Sequence, residues 1–362
     1  MAAKDTARES RPLGQSDSDP ERLRRNTETR REIDSQAQAI DETLRAEHSN
    51  IATAARVLGR RSINRAYLIG CGDSLAVMVA LRGFLESILG IPCEAMQAFD
   101  YAYYYGRDDP NAIVIGLSST GWTTKVGEGL ARARNAGLAT VAVSNSEGAP
   151  IFSIAEIGLR VHATREGWPT QSSTAAMALI AQLGLDLGRV RGLHSAILEP
   201  LQKSLEQTPS LAEETLRASE APTAELADQE LETKLFLYAG GGPSFATALI
   251  GAAKVKECTN RHATAIQIEE YHHYLSQMTG EPMFLTVPNG PSVSRSANAM
   301  HVGRANGGRI YGLISSNSTL RREDFDWSLD LPAMNELLTP IVYAVPLQLF
   351  AYNLGIGIAR TT

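Results

Sequence analysis

One unit occurs twice in this chain. A short apolar run, Ala66–Ile69, enters the turn Gly70-Cys71-Gly72-Asp73-Ser74, and a helical pattern follows from about Leu75 to Leu89. Further on, Lys234–Tyr238 enters Ala239-Gly240-Gly241-Gly242-Pro243-Ser244, and a helical pattern follows over Phe245–Thr259. A strand, a glycine turn and a helix in that order build a parallel sheet, because a crossover helix carries the chain back to the same end. The recurrence predicts a duplicated unit.

The text around each copy supports this. In the first half, Glu94–Ala98, Ile113–Leu117, Leu138–Ser144 and Glu156–Val161 are strand-like, with a helix over Val126–Ala136. In the second, Ala263–Ile268, Met283–Val287, Arg309–Leu313 and Trp327–Leu331 alternate with a helix near Ser292–Asn306 and a closing helix over Thr339–Ile358. The predicted fold class is α/β, two doubly wound parallel-sheet domains behind a helical N-terminal lead-in. The boundaries expected are a disordered tail at 1–20, a helical lead-in at 21–60, a first domain at 61–195, a helical connection at 196–232 and a second domain at 233–362. The lead-in is amphipathic, with Leu23, Ile33, Ala37, Ile40, Leu44 and Ile51 as its apolar positions. The connection is broken at Pro200, Pro209 and Pro222.

Ligands of such sheets bind at the carboxyl ends of the strands. There Ile113–Leu117 runs into Ser118-Ser119-Thr120-Gly121-Trp122-Thr123-Thr124, five hydroxyls around a glycine at a helix start. Unpaired helix-terminal amides, the helix dipole and hydroxyl donors favour an anion, and a phosphate monoester is the expected one. A capped Ser/Thr-rich turn is the alternative reading. A second polar turn, Gly167–Thr174, precedes a helix from Ala175 to about Val190.

Composition excludes several classes. A net charge of −6 over 362 residues requires no basic face for nucleic acid. No apolar run approaching about 18 residues is apparent, so no membrane span is expected, and no signal-peptide core leads the chain. Cys71, Cys93 and Cys258 lack metal spacing and fit reduced thiols, which places the protein in the cytoplasm.

Several separated motifs carry a resemblance. The turn at 70–74, Gly90-Ile91-Pro92-Cys93-Glu94 with Phe99-Asp100-Tyr101, the loop at 118–124, Lys254–Glu257 (K-V-K-E), Glu270-Tyr271-His272-His273 and Gln348–Tyr352 together resemble the double sugar-isomerase (SIS) domain family. They are most similar to the isomerase half of the glutamine–fructose-6-phosphate amidotransferases over about residues 30–360. Glu269–His273 is also similar to the matching segment of fructosamine-6-phosphate deglycases. The resemblance implies Glu257 as the base that moves a proton between C1 and C2 of an open-chain sugar phosphate. It implies His273, sixteen residues on and contributed by the other subunit of a homodimer, as the ring-opening acid–base, with Glu270 in the same catalytic segment. Gly72, Ser74, Ser118, Ser119, Thr120 and Thr123 would hold the phosphate, and Glu166 and Ser173 would lie near the sugar.

Departures from the family pattern sharpen the expectation. Trp122 replaces a glutamate, Ser173-Thr174-Ala175 replaces Ser-Thr-Lys, and Tyr274-Leu275 follows His273. The first cysteine is Cys71, so an N-terminal cysteine nucleophile is missing from the sequence. Glutamine-dependent amination by this chain alone is therefore not expected, and ammonia would come from a separate glutaminase or another source. Lys125, Lys254 and Lys256 could stand in for the family's sugar-holding tail lysine, against a solvated-surface reading of each. The residue types of His272, His273, Glu269 and Glu270 could ligate a metal, but no further ligand accompanies them. Neither metal nor cofactor is expected. The expected activity is aldose–ketose isomerisation coupled to making or breaking a C–N bond on an amino- or glycated-sugar phosphate. A plain phosphosugar isomerase and a non-catalytic phosphosugar-binding regulator are the rivals.

Overall fold

The computed structural model describes residues 19–105, 109–274 and 277–361. The stretch expected to be a disordered tail lies outside these residues as far as 18. Pro20 already begins α1 (Pro20–Asp34), whose first turn is capped by the Asp19 carboxylate accepting from the Glu21 and Arg22 amides. The lead-in continues as α2 (Gln36–Gly59).

Two five-stranded parallel sheets follow, and they repeat one topology. The first half runs β1 (Arg65–Gly70), α3 (Asp73–Leu89), β2 (Cys93–Gln97), α4 (Ala98–Tyr103), β3 (Ala112–Leu117), α5 (Thr124–Asn135), β4 (Ala139–Ser144), α6 (Pro150–Ile154) and β5 (Ile157–Arg160). Its spatial order is β2-β1-β3-β4-β5. Then come α7 (Gln171–Val190), α8 (Ser195–Glu206) and α9 (Thr208–Gln229). The second half runs β6 (Leu235–Gly240), α10 (Ser244–Cys258), β7 (His262–Gln267), α11 (Ile268–Tyr274), β8 (Pro282–Val287), α12 (Val293–Ala305), β9 (Arg309–Ser315), β10 (Trp327–Leu331) and α13 (Thr339–Thr361). Its order, β10-β9-β8-β6-β7, is the same arrangement strand for strand. β3 and β4 are buried at every residue, as their continuous apolar text requires of central strands covered on both faces.

The glycine turns are also duplicated. A Cβ on Gly70 would lie 2.6 Å from the Ser74 carbonyl carbon, and one on Gly240 would lie 2.4 Å from the Ser244 oxygen. Gly72 and Gly242 take φ of 56° and 55°. One hydrophobic core spans both halves: Leu68, Phe84 and Leu179 join Ala246, Ile250, Ile341 and Ala344 in a single cluster.

Four sequence expectations change. Pro200 and Pro222 lie inside α8 and α9, and only Pro209 marks a break, at the start of α9. A helix proline forfeits one backbone bond, and α9 is held against α13, where Asn353 Nδ2 donates to Thr223 Oγ1 at 3.3 Å. The helix expected from Ala175 begins at Gln171, so Ser173 sits in its first turn. The closing helix does have the length and composition of a membrane span, yet 83% of its most apolar window is buried inside the fold, where it serves as a core helix. The buried stripe of α1 is mostly polar: Arg22, Asn26, Thr29 and Glu32 face inward beside the expected Ile33, while Leu23 is only half-buried. That stripe meets a loop that needs hydrogen bonds.

Candidate active site

The turns after β1 and β3 meet where the strand order reverses, at the carboxyl end of the first sheet. The hydroxyl loop after β3 is held from within. Ser118 is buried; its Oγ donates to Thr123 Oγ1 at 2.8 Å and accepts from the amides of Gly121 and Thr123 at 3.0 and 3.3 Å. Thr120 Oγ1 accepts from the Trp122 amide at 3.2 Å. The Ser119 carbonyl accepts from the Asn145 amide and from Ser144 Oγ, each at 3.1 Å. Gly121 has φ of 73°, and a Cβ there would lie 2.2 Å from that of Ala149. Ser118 thus organises the loop, while the half-buried Ser119, Thr120 and Thr123 lie just ahead of α5, with Thr123 at its N-cap position. Gly72 is exposed and Ser74 half-buried at the start of α3, beside this loop. Trp122 is 54% exposed, and Lys125 is held by Glu128 at 2.9 Å and by the Tyr103 hydroxyl at 2.9 Å.

Across this end of the sheet lies a buried charge cluster. Lys254 and Glu257 stand one turn apart on α10, and Lys254 reaches over to Asp73 at the start of α3, Nζ to Oδ2 2.6 Å. Lys254 also donates to Glu257 Oε2. Lys254 is 0% exposed, so the surface-lysine reading is wrong for it. Burial alone would pull its ammonium pKa down; Asp73 and Glu257 outweigh that and hold it above its ordinary value. Burial pushes the Glu257 carboxyl up to about 7, Asp73 adds to the rise, and Lys254 and Arg165 oppose it. The Glu257 side chain keeps 27% exposure, so one face stays open to a ligand. A carboxylate that titrates near neutrality can both take and return a proton.

The histidines lie elsewhere. α10 starts at the carboxyl end of β6 and runs back beside the sheet, which puts Glu257 near the amino end of the second sheet. α11 begins where β7 ends, at the carboxyl end. A helix of this length spans about 20 Å, so Glu257 and His273 of one chain sit at opposite ends of the second half. His273 is 65% exposed, with Nε2 3.8 Å from Glu269 Oε1. His272 turns inward, and its buried Nε2 finds no hydrogen-bond partner. Burial and then the Arg295 charge lower its pKa. Glu270 is exposed, and Glu269 is held by Arg295 at 2.6 Å. Among the described residues no group of three or more His, Cys, Asp or Glu is arranged to hold a metal.

Glu166 also behaves differently from its motif. Its side chain is exposed, and its amide donates to Glu32 of α1 at 2.6 Å. Its neighbour Arg165 is the residue whose charge reaches Glu257. Ser173 is buried in the first turn of α7. Sequence reasoning passed over Asp73 and Arg165 and gave Lys254 no part in placing the base. Asp73 lay in plain view inside the first glycine turn, and the K-x-x-E spacing already put Lys254 and Glu257 on one helix face. Their meeting across the two halves had no local signal.

Comparison with known proteins agrees with this fold. The SIS domain profile matches residues 61–185 and again 232–356. Glutamine–fructose-6-phosphate aminotransferase (isomerizing) of Escherichia coli K12 is 27% identical over 337 residues, covering 90% of this chain and 55% of that protein. The chain therefore spans about half the length of the curated relatives it matches. The C-terminal domain of glucosamine-fructose-6-phosphate aminotransferase from Francisella tularensis superposes with a TM-score of 0.82 at 19% identity, covering 91% of this chain and 96% of that one. A glucosamine-6-phosphate deaminase from Thermotoga maritima superposes with a TM-score of 0.70 at 16% identity, covering 93% and 94%. With two matched domains covering most of its length, the chain belongs to the SIS domain family.

Proposed function

We propose that the protein is a sugar-phosphate enzyme that couples aldose–ketose isomerisation to C–N bond cleavage or formation on an amino- or glycated-sugar phosphate. The observation that carries this reading is the Asp73–Lys254–Glu257 cluster beside the hydroxyl loop. Through Lys254 it ties a carboxylate with a pKa near 7 to Asp73, which lies between Gly72 and Ser74 in the glycine turn of the expected anion cradle. Relatives named as an isomerizing aminotransferase and a glucosamine-6-phosphate deaminase support nitrogen chemistry.

In this reading Ser119, Thr120 and Thr123 donate to the phosphate, with Gly72 and Ser74 lining the same end, while Ser118 holds the loop. For a fructosamine 6-phosphate, Glu257 takes a proton from C1, the electron pair forms the C1=C2 bond, and the C2 oxygen takes the proton of the substrate's own ammonium, giving an enolamine. Glu257 then returns the proton to C2, leaving an imine at C1. Water adds to that imine, the C–N bond breaks, and the amine leaves with a proton. Lys254 and Asp73 keep the carboxylate placed and its pKa near neutrality. The opposite-end placement of Glu257 and His273 supports a homodimer in which the second copy supplies His273, or the inward His272, for ring opening, with Glu270 on the same short helix. Run in reverse, the reaction needs ammonia from a separate source.

Phosphorus NMR of the purified protein tests this. Fructosamine 6-phosphates, glucosamine 6-phosphate, and fructose 6-phosphate with ammonium are offered to wild type and to Glu257→Gln. Conversion by wild type and none by the variant is expected. Binding shifts without conversion by wild type would favour the phosphosugar-binding regulator.

A further inference from the structure

The lead-in helix α1 lies outside both matched domains, yet its buried stripe touches the site from behind. Asn26 is 0% exposed. Its Nδ2 donates to the Cys258 carbonyl at 2.9 Å, and its Oδ1 accepts from the Trp168 indole Nε1 at 2.9 Å. Cys258 is the last residue of α10 and follows Glu257 directly, so its carbonyl is one of the four that a helix end leaves without an internal partner. α13 closes the other side: a Cβ on Gly355 would lie 2.4 Å from the same Cys258 oxygen and 2.9 Å from Asn26 Nδ2.

Trp168 ends a loop that α1 holds at several points. The Trp168 amide donates to Thr29 Oγ1 at 2.7 Å. Thr164 Oγ1 and the Glu166 amide donate to Glu32 at 3.0 and 2.6 Å, on either side of Arg165. The last turn of α10 and the loop bearing Arg165 are therefore joined through one buried amide side chain.

We propose that Asn26 is a positioning residue: by anchoring the final turn of α10 to the Trp168 loop, it fixes the Glu257 carboxylate against Lys254 and Asp73. The groups facing that carboxylate are Lys254 on its own helix, Asp73 on α3 and Arg165 before α7, and Arg22 of α1 acts on the neighbouring Cys258 thiol. Asn26 carries no charge, so its effect must come through position. Without it the Cys258 carbonyl seeks water, the last turn loosens, and Glu257 gains hydration.

The inference rests on Glu257 as the proton-transferring base, and its test separates the two ideas. Asn26→Leu removes both hydrogen bonds at nearly constant shape, and Trp168→Phe removes one. The readout is the Glu257 carboxyl titration by carbon NMR of the full-length protein, identified against Glu257→Gln. Its midpoint is expected to fall by about one pH unit in Asn26→Leu and by less in Trp168→Phe. With whichever sugar phosphate wild type converts, kcat falls about tenfold while KM stays within twofold. An unchanged midpoint in either folded variant overturns the proposal. Should wild type convert nothing, the functional reading fails and the titration still decides the positioning role. If Asn26→Leu does not fold, Trp168→Phe decides it.

Discussion

The two halves share strand order, glycine turns and helix placement, yet they use opposite ends of their sheets. In the first half the carboxyl end carries the hydroxyl loop and Asp73. In the second the corresponding loop after β8 is Pro288-Asn289-Gly290-Pro291-Ser292, with no run of hydroxyls. A Cβ on Gly290 would lie 1.9 Å from Glu336 Oε2, so a carboxylate of the chain itself lies over that turn. Burial raises the Glu336 pKa. What the second half gives to the charge cluster comes from its other end, the last turn of α10. The two halves share one scaffold, and the candidate site lies where their unlike ends meet.

Glu257→Gln should have the largest effect. Loss of a positioned base typically costs about 10²–10⁴-fold in rate, and sugar-phosphate binding should persist by phosphorus NMR. Next comes Gly121→Ala: at φ of 73° and with the Ala149 overlap, it should cost about 1–3 kcal/mol and displace the loop. The matched Gly290→Ala meets only a flexible carboxylate end, so comparable losses of thermal stability in both variants would contradict the asymmetry. Thr123→Val should weaken phosphate binding about five- to tenfold by titration calorimetry, whereas Ser292→Ala should change it less than twofold.

A further effect appears in the pH dependence of stability. The folded Glu257 pKa of about 7 exceeds the ordinary 4.5. Between those values the folded protein keeps a proton that the unfolded chain has lost. The stability from that proton is full below pH 4.5 and is lost as pH rises through 7. The melting temperature of wild type should therefore fall relative to Glu257→Gln across this window. Parallel curves would show that Glu257 is not perturbed.

The fold was largely legible because the central strands announced themselves by apolar text and the first turn of each half by glycine. Helix ends were less so: the prolines at 200 and 222 are overridden by packing that no local pattern reveals. The hydroxyl loop was visible as a cluster, but the inward role of Ser118 depends on backbone amides that curl around it. α1 was misjudged for a related reason. Its buried face is polar except for Ile33, and a search for apolar periodicity finds Ile33 but picks Leu23 over Asn26. The Asp73–Lys254 contact joins residues 181 positions apart, which only the packing of the two halves could disclose.

In the proposed reaction Glu257 moves a carbon-bound proton of a sugar held by the first half. Proton NMR in deuterium oxide tests it most directly, with fructose 6-phosphate and glucosamine 6-phosphate as probes. Solvent deuterium should enter C1 or C2 with wild type and not with Glu257→Gln, although both bind. Equal exchange with the variant, or none with wild type while the sugar is bound, would contradict it.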